Sequence, residues 1–351
     1  MLAEYQYLKL LRTLALLAAV LALVVVMLGA YTRLKDAGLG CPDWPGCYGS
    51  LVVPSAHHEI AAAAKAFPER PVEGEKAWAE MIHRYFASTL GFLILIMAGY
   101  SWYRKKQHLS MPVVLPSILL ILVIFQGMLG MWTVTMKLNP VIVMSHLLGG
   151  MTTFSLLVSF ALLLYFYMQK DKVKLITMAD AIQFKKIALV ALLVLILQIA
   201  LGGWTSANYA AQVCTDFPFC QGNWVEHLKP LEAFQLWGHG AENYEFGVKS
   251  LEAKTTIHVT HRIWSLVTLF TLLFLAIKLL KTRELLHQFG VVILFVVCVQ
   301  FLLGIANVAF DLPLVNAVAH NGVGAILLAS LVALNLLLRA ARQVSQGEAS
   351  E

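Results

Sequence analysis

The chain carries little charge for its length. Only 13% of its 351 residues are Asp, Glu, Lys or Arg, whereas 59% are hydrophobic and the mean hydropathy is +0.74. Soluble domains carry about a quarter charged residues, so this composition excludes both a soluble globular protein and a disordered chain. The net charge of +6 is spread over short segments between apolar runs, which argues against a nucleic-acid-binding surface. The class that remains is a polytopic membrane protein.

Eight apolar runs are long enough to cross about 30 Å of hydrocarbon. The first run is too long for the apolar core of a signal peptide and has no convincing small-residue cleavage site, so it is interpreted as an anchor. The sequence therefore predicts an all-α fold with eight transmembrane helices in the lipid bilayer, near 11–31, 82–103, 112–136, 141–168, 184–206, 257–280, 288–310 and 314–338.

The positions of the basic residues predict the orientation. Fifteen of the 26 Lys and Arg residues lie in short segments on the side of the N-terminus. The other side has the two long polar loops, 32–81 and 207–256, and 14 of the 20 acidic residues. Because Lys and Arg in short loops stay in the cytoplasm, both termini are expected there and the long loops outside. No Arg- and Ser-rich transit segment precedes the first run, so a bacterial cytoplasmic membrane is expected.

The second half of the sequence repeats the first. At offsets of 173 to 178 residues, the matching segments are Gly29–Thr32 with Gly202–Thr205, Cys41 and Cys47 with Cys214 and Cys220, His83-Arg84 with His261-Arg262, Gln126–Gly130 with Gln300–Gly304, and His146 with His320. An even number of spans in each half makes the repeats parallel. We therefore expect two pseudo-symmetric four-helix bundles at 1–170 and 184–342, with a cytoplasmic linker at 171–183 and a polar tail at 343–351.

Five of the 11 histidines lie in the outer portions of apolar runs. An ionisable side chain within a span tends to face a bundle interior or cavity. Four of the five occupy equivalent positions in the two repeats, so each bundle offers two imidazoles at one depth: His83 with His146, and His261 with His320. Such a pair is suited to the axial ligation of haem iron, whereas zinc would need further ligands. The alternative is a hydrogen bond to a neighbouring helix. His258 has no repeat partner and is interpreted as a satisfied interface residue.

Polar residues beside the histidines differ between the repeats. Arg84 and Arg262 each follow a candidate ligand and are expected to bind haem propionates or to reach lipid headgroups. Glu80 lies one turn before His83 on the same helical face, where the second repeat has His258. A carboxylate beside only one pair indicates one reacting site and one electron-transfer site. The alternative is an acid favoured by a helix N-terminus.

Four of the five cysteines form two C-x5-C pairs in the long loops, Cys41 with Cys47 and Cys214 with Cys220. Outside the cytoplasm, such pairs are expected to be disulfides or redox-active thiols. A structural staple and a pair that cycles during turnover are both consistent with the sequence. The fifth, Cys298, lies within a span and is expected to pack inside the protein.

These motifs resemble the haem A synthase family. The resemblance rests on the segment 29–47, on Glu80-x-x-His83-Arg84 and Gln126-Gly-x-Leu-Gly130, and on His146, His261 and His320, and it covers all eight spans. It implies the conversion of haem O into haem A, in which a ring methyl group becomes a formyl group through two hydroxylations and loss of water. It further implies that His83 and His146 receive haem O, that His261 and His320 hold a haem b that relays electrons, and that Glu80 is catalytic. The resemblance also implies that Cys41 and Cys47 match cysteines that serve the activity or the structure of the family's enzymes.

The resemblance also implies partners: the enzyme that supplies haem O, an electron donor that the sequence does not identify, and terminal oxidase assembly as the user of haem A. Two other functions fit the same residues. A dihaem b-type cytochrome would pass electrons from quinol to a partner and would need no Glu80. A transporter built from parallel repeats would use the histidines in a proton or metal pathway.

Overall fold

The computed structural model describes residues 2–107, 112–169, 176–217, 220–238 and 240–348. Its helices are α1 (Leu2–Leu34), α2 (His57–Ala66), α3 (Gly74–Lys106), α4 (Val114–Thr135), α5 (Pro140–Met168), α6 (Met178–Ala207), α7 (Pro230–Ala233), α8 (Leu251–Leu280), α9 (Glu284–Ala309) and α10 (Leu314–Glu348). Within these ranges, eight helices are long and apolar enough to cross a membrane, all except α2 and α7. The prediction of an all-α protein with eight spans is confirmed.

The outer ends of two spanning helices extend beyond their apolar runs. Helix α3 begins at Gly74 and helix α8 at Leu251, whereas hydropathy places these starts near 82 and 257. Hydropathy detects the part of a helix that contacts hydrocarbon, but backbone hydrogen bonding continues through the polar turns beyond it. Because of these extra turns, Glu80 lies on the same continuous helix as His83.

The expected linker and tail are partly helical. Helix α6 begins at Met178, so the last residues of the expected linker 171–183 belong to this helix. Residues 170–175 lie outside the described part of the chain. Helix α10 continues through the expected polar tail as far as Glu348, and residues 349–351 again lie outside the described part.

The same pattern of helix neighbours occurs in both halves of the chain. In the N-terminal half (α1–α5), α1 and α4 each pack against α3 and α5. In the C-terminal half (α6–α10), α6 and α9 each pack against α8 and α10. The halves meet where α1 contacts α10 and where α5 contacts α6 and α10. This arrangement supports the interpretation of two related four-helix bundles.

Glycines allow the two halves to approach closely. A Cβ atom on Gly203 of α6 would lie 3.3 Å from Met144 Cγ of α5, and one on Gly322 of α10 would lie 3.3 Å from Met27 Cγ of α1. Small residues at such contacts let membrane helices pack through van der Waals contact. Cys298 does not contribute to this core, because it is exposed on α9, next to the buried Val296 and Val297. The expectation that it packs inside is therefore wrong.

The two long loops are closed by disulfides and also contact each other. The disulfides join Cys41 to Cys47 and Cys214 to Cys220. Across the loops, Arg70 donates two hydrogen bonds to the Glu245 carboxylate, at 2.8 and 2.9 Å. These hydrogen bonds from Arg70 hold the pKa of Glu245 below its ordinary value. The loop that follows α6 therefore also contacts the loop of the N-terminal half.

Candidate functional site

A single cavity of about 880 Å³ receives side chains from both halves of the protein. This volume is within the range of small-molecule and cofactor pockets. The structure brings to this cavity all the ionisable residues that the sequence singled out within the spans: Glu80, His83, Arg84, His146, His258, His261, Arg262 and His320. The equivalent residues of the repeats therefore share one internal space.

The first histidine pair has a spacing suited to one iron atom. The ring centroids of His83 and His146 are 6.4 Å apart and the ring planes are inclined by 86°. Two imidazoles that bind one metal ion at about 2 Å have ring centres about 6 Å apart. The Nδ1 atoms of both rings are buried and have no hydrogen-bond partner within the described residues. Buried polar atoms are normally satisfied, so these two unpartnered nitrogens fit a site that holds a further group such as haem.

Each of the four paired histidine rings lies against a glycine of a neighbouring helix. A Cβ atom would lie 3.1 Å from the His83 ring at Gly29, and 3.5 Å from the His146 ring at Gly130. The same contacts recur in the second half, as Gly202 with His261 at 3.0 Å and Gly304 with His320 at 3.3 Å. The sequence revealed these glycines as parts of repeated motifs but gave no role for them. The structure indicates that they leave room for the imidazoles.

Glutamines beside the rings differ between the halves. In the C-terminal half, Gln198 Nε2 lies 3.3 Å from His261 Nδ1, and Gln300 Nε2 lies 3.2 Å from His320 Nε2. An amide nitrogen can only donate, so each contact orients an imidazole that accepts at that atom. The repeat counterpart of Gln300 is Gln126, which is 8% exposed. Both of its amide atoms are buried and unpartnered among the described residues.

Glu80 connects the first histidine pair to the first disulfide loop. Its carboxylate is buried, with the residue 5% exposed, and it accepts a hydrogen bond from Arg84 Nη2 at 2.5 Å and one from the backbone N–H of Cys41 at 2.8 Å. Arg84 also donates to the carbonyls of Asp43, Pro45 and Gly46. A buried carboxylate needs such compensation for its lost hydration.

The C-terminal half repeats this arrangement with an imidazole in place of the carboxylate. Arg262 Nε donates to His258 Nε2 at 3.3 Å, and its terminal nitrogens donate to the carbonyls of Cys214 and Asp216 at 2.5 and 2.9 Å. Both arginines therefore hold a disulfide loop against the outer end of a helix. Their guanidinium groups bind protein carbonyls, and contact with haem propionates or with lipid headgroups stays a prediction.

The fold and the site define an integral membrane protein with paired imidazoles in a cavity between its spanning helices. A sequence profile of the family described as "Cytochrome oxidase assembly protein" matches residues 12–332. A protein of Shewanella oneidensis named Heme A synthase is 47% identical over 320 residues, which cover 91% of this chain and 94% of that relative. A protein of the same name from Novosphingobium aromaticivorans is 27% identical and covers 89% of this chain and 90% of the relative. The chain belongs to the haem A synthase family.

Proposed function

We propose that this protein oxidises haem O to haem A within the membrane. The observation that carries the proposal is an asymmetry between two otherwise equivalent sites. Both histidine pairs line one cavity, but among the described residues only the pair of the N-terminal half has a buried carboxylate, Glu80, beside it. A cytochrome that only passes electrons has no need for such a difference, whereas an enzyme with one reacting site has.

In this proposal, His83 and His146 hold the substrate haem O, and His261 and His320 hold a resident haem b that relays electrons. The spacing of the first pair supports one shared iron atom. The long isoprenoid tail of haem O partitions into lipid, which suits a site among membrane-spanning helices. Haem iron, when bound, supplies the redox chemistry that methyl oxidation requires, and the protein supplies position and electrostatics.

Glu80 handles protons at the reacting site. Two hydroxylations of the methyl group give a gem-diol, and its loss of water to the formyl group requires a nearby base to take a proton from one of the two hydroxyls. The contacts from Arg84 and the Cys41 N–H fix both carboxylate oxygens and compensate their charge. These contacts support Glu80 as the group that accepts this proton.

Arg84 and Arg262 bind haem propionates in this proposal while they hold the disulfide loops. Both line the cavity, and guanidinium groups match carboxylate geometry. The disulfide between Cys41 and Cys47 has a structural role, since it fixes the loop whose N–H contacts Glu80. A disulfide that cycles during turnover is the alternative for both pairs, and loss of haem A output with intact haem binding in a Cys47→Ser variant would favour it.

We place the protein in a bacterial cytoplasmic membrane with both termini in the cytoplasm, on the basis of its Lys and Arg distribution. Its partners are then the enzyme that supplies haem O, an electron donor, and the terminal oxidase assembly that uses haem A. The domain division at 1–170 and 184–342 assigns the substrate site to the first bundle and the haem b site to the second.

The test is expression in a host that makes haem O, followed by extraction and mass identification of the haems. We expect haem A from the wild type, and none from a variant with His83→Ala and His146→Ala. A wild-type protein that carries only haem b and unmodified haem O would favour the dihaem cytochrome. A colourless purified protein would favour the transporter.

A further inference from the structure

The contact between the second and third spanning helices, which we call the seam, is lined by side chains of different size in the two halves. In the N-terminal half this seam lies between α3 and α4, and in the C-terminal half between α8 and α9. Three cavity-lining positions change from small to bulky by the repeat register: Ser88 to Leu266, Gly91 to Leu269, and Gly127 to Phe301. At these three positions the N-terminal half has smaller side chains than the C-terminal half.

Close helix packing does not explain these small residues. A Cβ atom on Gly127 would meet nothing within 4 Å, and one on Gly91 would meet only Val123 Cγ2, at an ordinary 3.8 Å. Ser88 and Gly127 are exposed and also line the cavity. Small exposed residues at the edge of the cavity leave room for a group to pass between α3 and α4 toward the bilayer.

A buried amide without a partner lies next to this seam. Gln126 precedes Gly127 and lines the same cavity, and both of its amide atoms are unpartnered within the described residues. Its counterpart Gln300 contacts His320. A free amide can both donate to and accept from a hydroxyl group. Haem O carries a hydroxyl at the root of its isoprenoid tail, where haem b carries a vinyl group.

We propose that the α3–α4 seam is the passage for the isoprenoid tail of haem O and that Gln126 binds the hydroxyl at the root of this tail. Leu266, Leu269 and Phe301 close the equivalent seam, so the second site accepts only a haem without a tail. The seam thus keeps haem O out of the second site and admits it to the first. This inference rests on the proposed function, because it assumes that His83 and His146 hold haem O.

The experiment gives the N-terminal seam the residues of the C-terminal one. The variants Gly127→Phe and Ser88→Leu are purified with haem b in the second site, titrated with haem O or with haem b, and followed by Soret absorbance. The wild type is expected to bind both haems at the first site. The variants are expected to bind haem b as the wild type does and haem O at least about tenfold more weakly. Gln126→Leu is expected to weaken only haem O.

Gly99→Leu is the matched control, because Gly99 lies on α3, a Cβ atom there meets nothing within 4 Å, and it does not line the cavity. This control should bind both haems normally. Seam variants that bind haem O as tightly as the wild type would overturn the proposal. Equal loss of both haems in a variant that retains haem b in its second site would also overturn it, because the seam would then shape the ring pocket rather than the tail passage.

Failure of the proposed function has a different signature. If haem O binding to the wild type is unaffected by His83→Ala and His146→Ala together, the first pair is not the substrate site and the tail passage is rejected with it. If Gly127→Phe fails to retain haem b in the second site, Ser88→Leu decides, because this exposed position needs no rearrangement of the core.

Discussion

Replacement of Glu80 by Gln tests the reacting site most directly. The amide has nearly the same shape as the carboxylate, and its oxygen can still accept from Arg84 or from the Cys41 N–H. What is lost is the negative charge and the ability to take a proton. General acid–base groups contribute about a hundredfold to ten-thousandfold in rate, so we expect haem A output to fall at least about a hundredfold.

The same change has a stability cost that must be separated from catalysis. It leaves Arg84 buried without its anion, although three loop carbonyls still accept from this guanidinium. Leaving a buried polar group incompletely paired costs about 1–3 kcal/mol, which lowers the yield but does not by itself empty the second site. We therefore expect Glu80→Gln to retain its resident haem b.

The assay measures haem A per mole of resident haem b in purified protein, which corrects for expression. Glu75→Gln is the control, since Glu75 is an exposed acid on the same helix and does not line the cavity. Full haem A output from Glu80→Gln would refute the role of the carboxylate. Loss of haem b in parallel with haem A would instead assign Glu80 to the structure of the loop.

Three further predictions concern the second site and the loops. His261→Ala or His320→Ala should reduce haem b content below about a tenth of wild type, as measured by pyridine haemochrome. Gly304→Leu should push against the His320 ring, which lies 3.3 Å from a Cβ atom at this glycine, and lower haem b affinity about tenfold; unchanged affinity would contradict this role. Glu245→Gln should destabilise the protein by about 1 kcal/mol at pH 7, by loss of the ion pair with Arg70. Because Arg70 lowers the pKa of Glu245, this contribution is present above the ordinary glutamate pKa and disappears as the pH falls through the lowered value. The thermal midpoints of variant and wild type should therefore converge as the pH falls through this lowered pKa, and a constant difference would contradict the assignment.

The spans were predictable because the bilayer sets their length and composition. All eight appear in the structure, but hydropathy missed the outer turns of α3 and α8, and the missed turns of α3 carry Glu80. These turns extend beyond the apolar part of each helix, so no hydropathy signal marks them. Cys298 illustrates the converse error, because the apolar helix α9 gives no indication of which of its faces is exposed.

The partners of the arginines and the contact between the loops were not predictable. Arg84 contacts carbonyls about 40 residues away in sequence, and Arg70 and Glu245 are separated by 175 residues. Such pairs depend on how the loops fold over the helix ends, and no periodicity in the sequence encodes that path. The lack of a partner for the Gln126 amide within the described residues was not predictable either. Its counterpart Gln300 has a partner, although both are glutamines at equivalent positions of the repeats.

The sequence by itself determined the number of spans, the duplication and the depth of the four paired histidines, because each of these is a local property or a comparison between aligned segments. Only the tertiary structure decided that both pairs line one cavity and that glycines lie against all four rings. Those features depend on distances between helices, which are set by side-chain packing across the whole molecule.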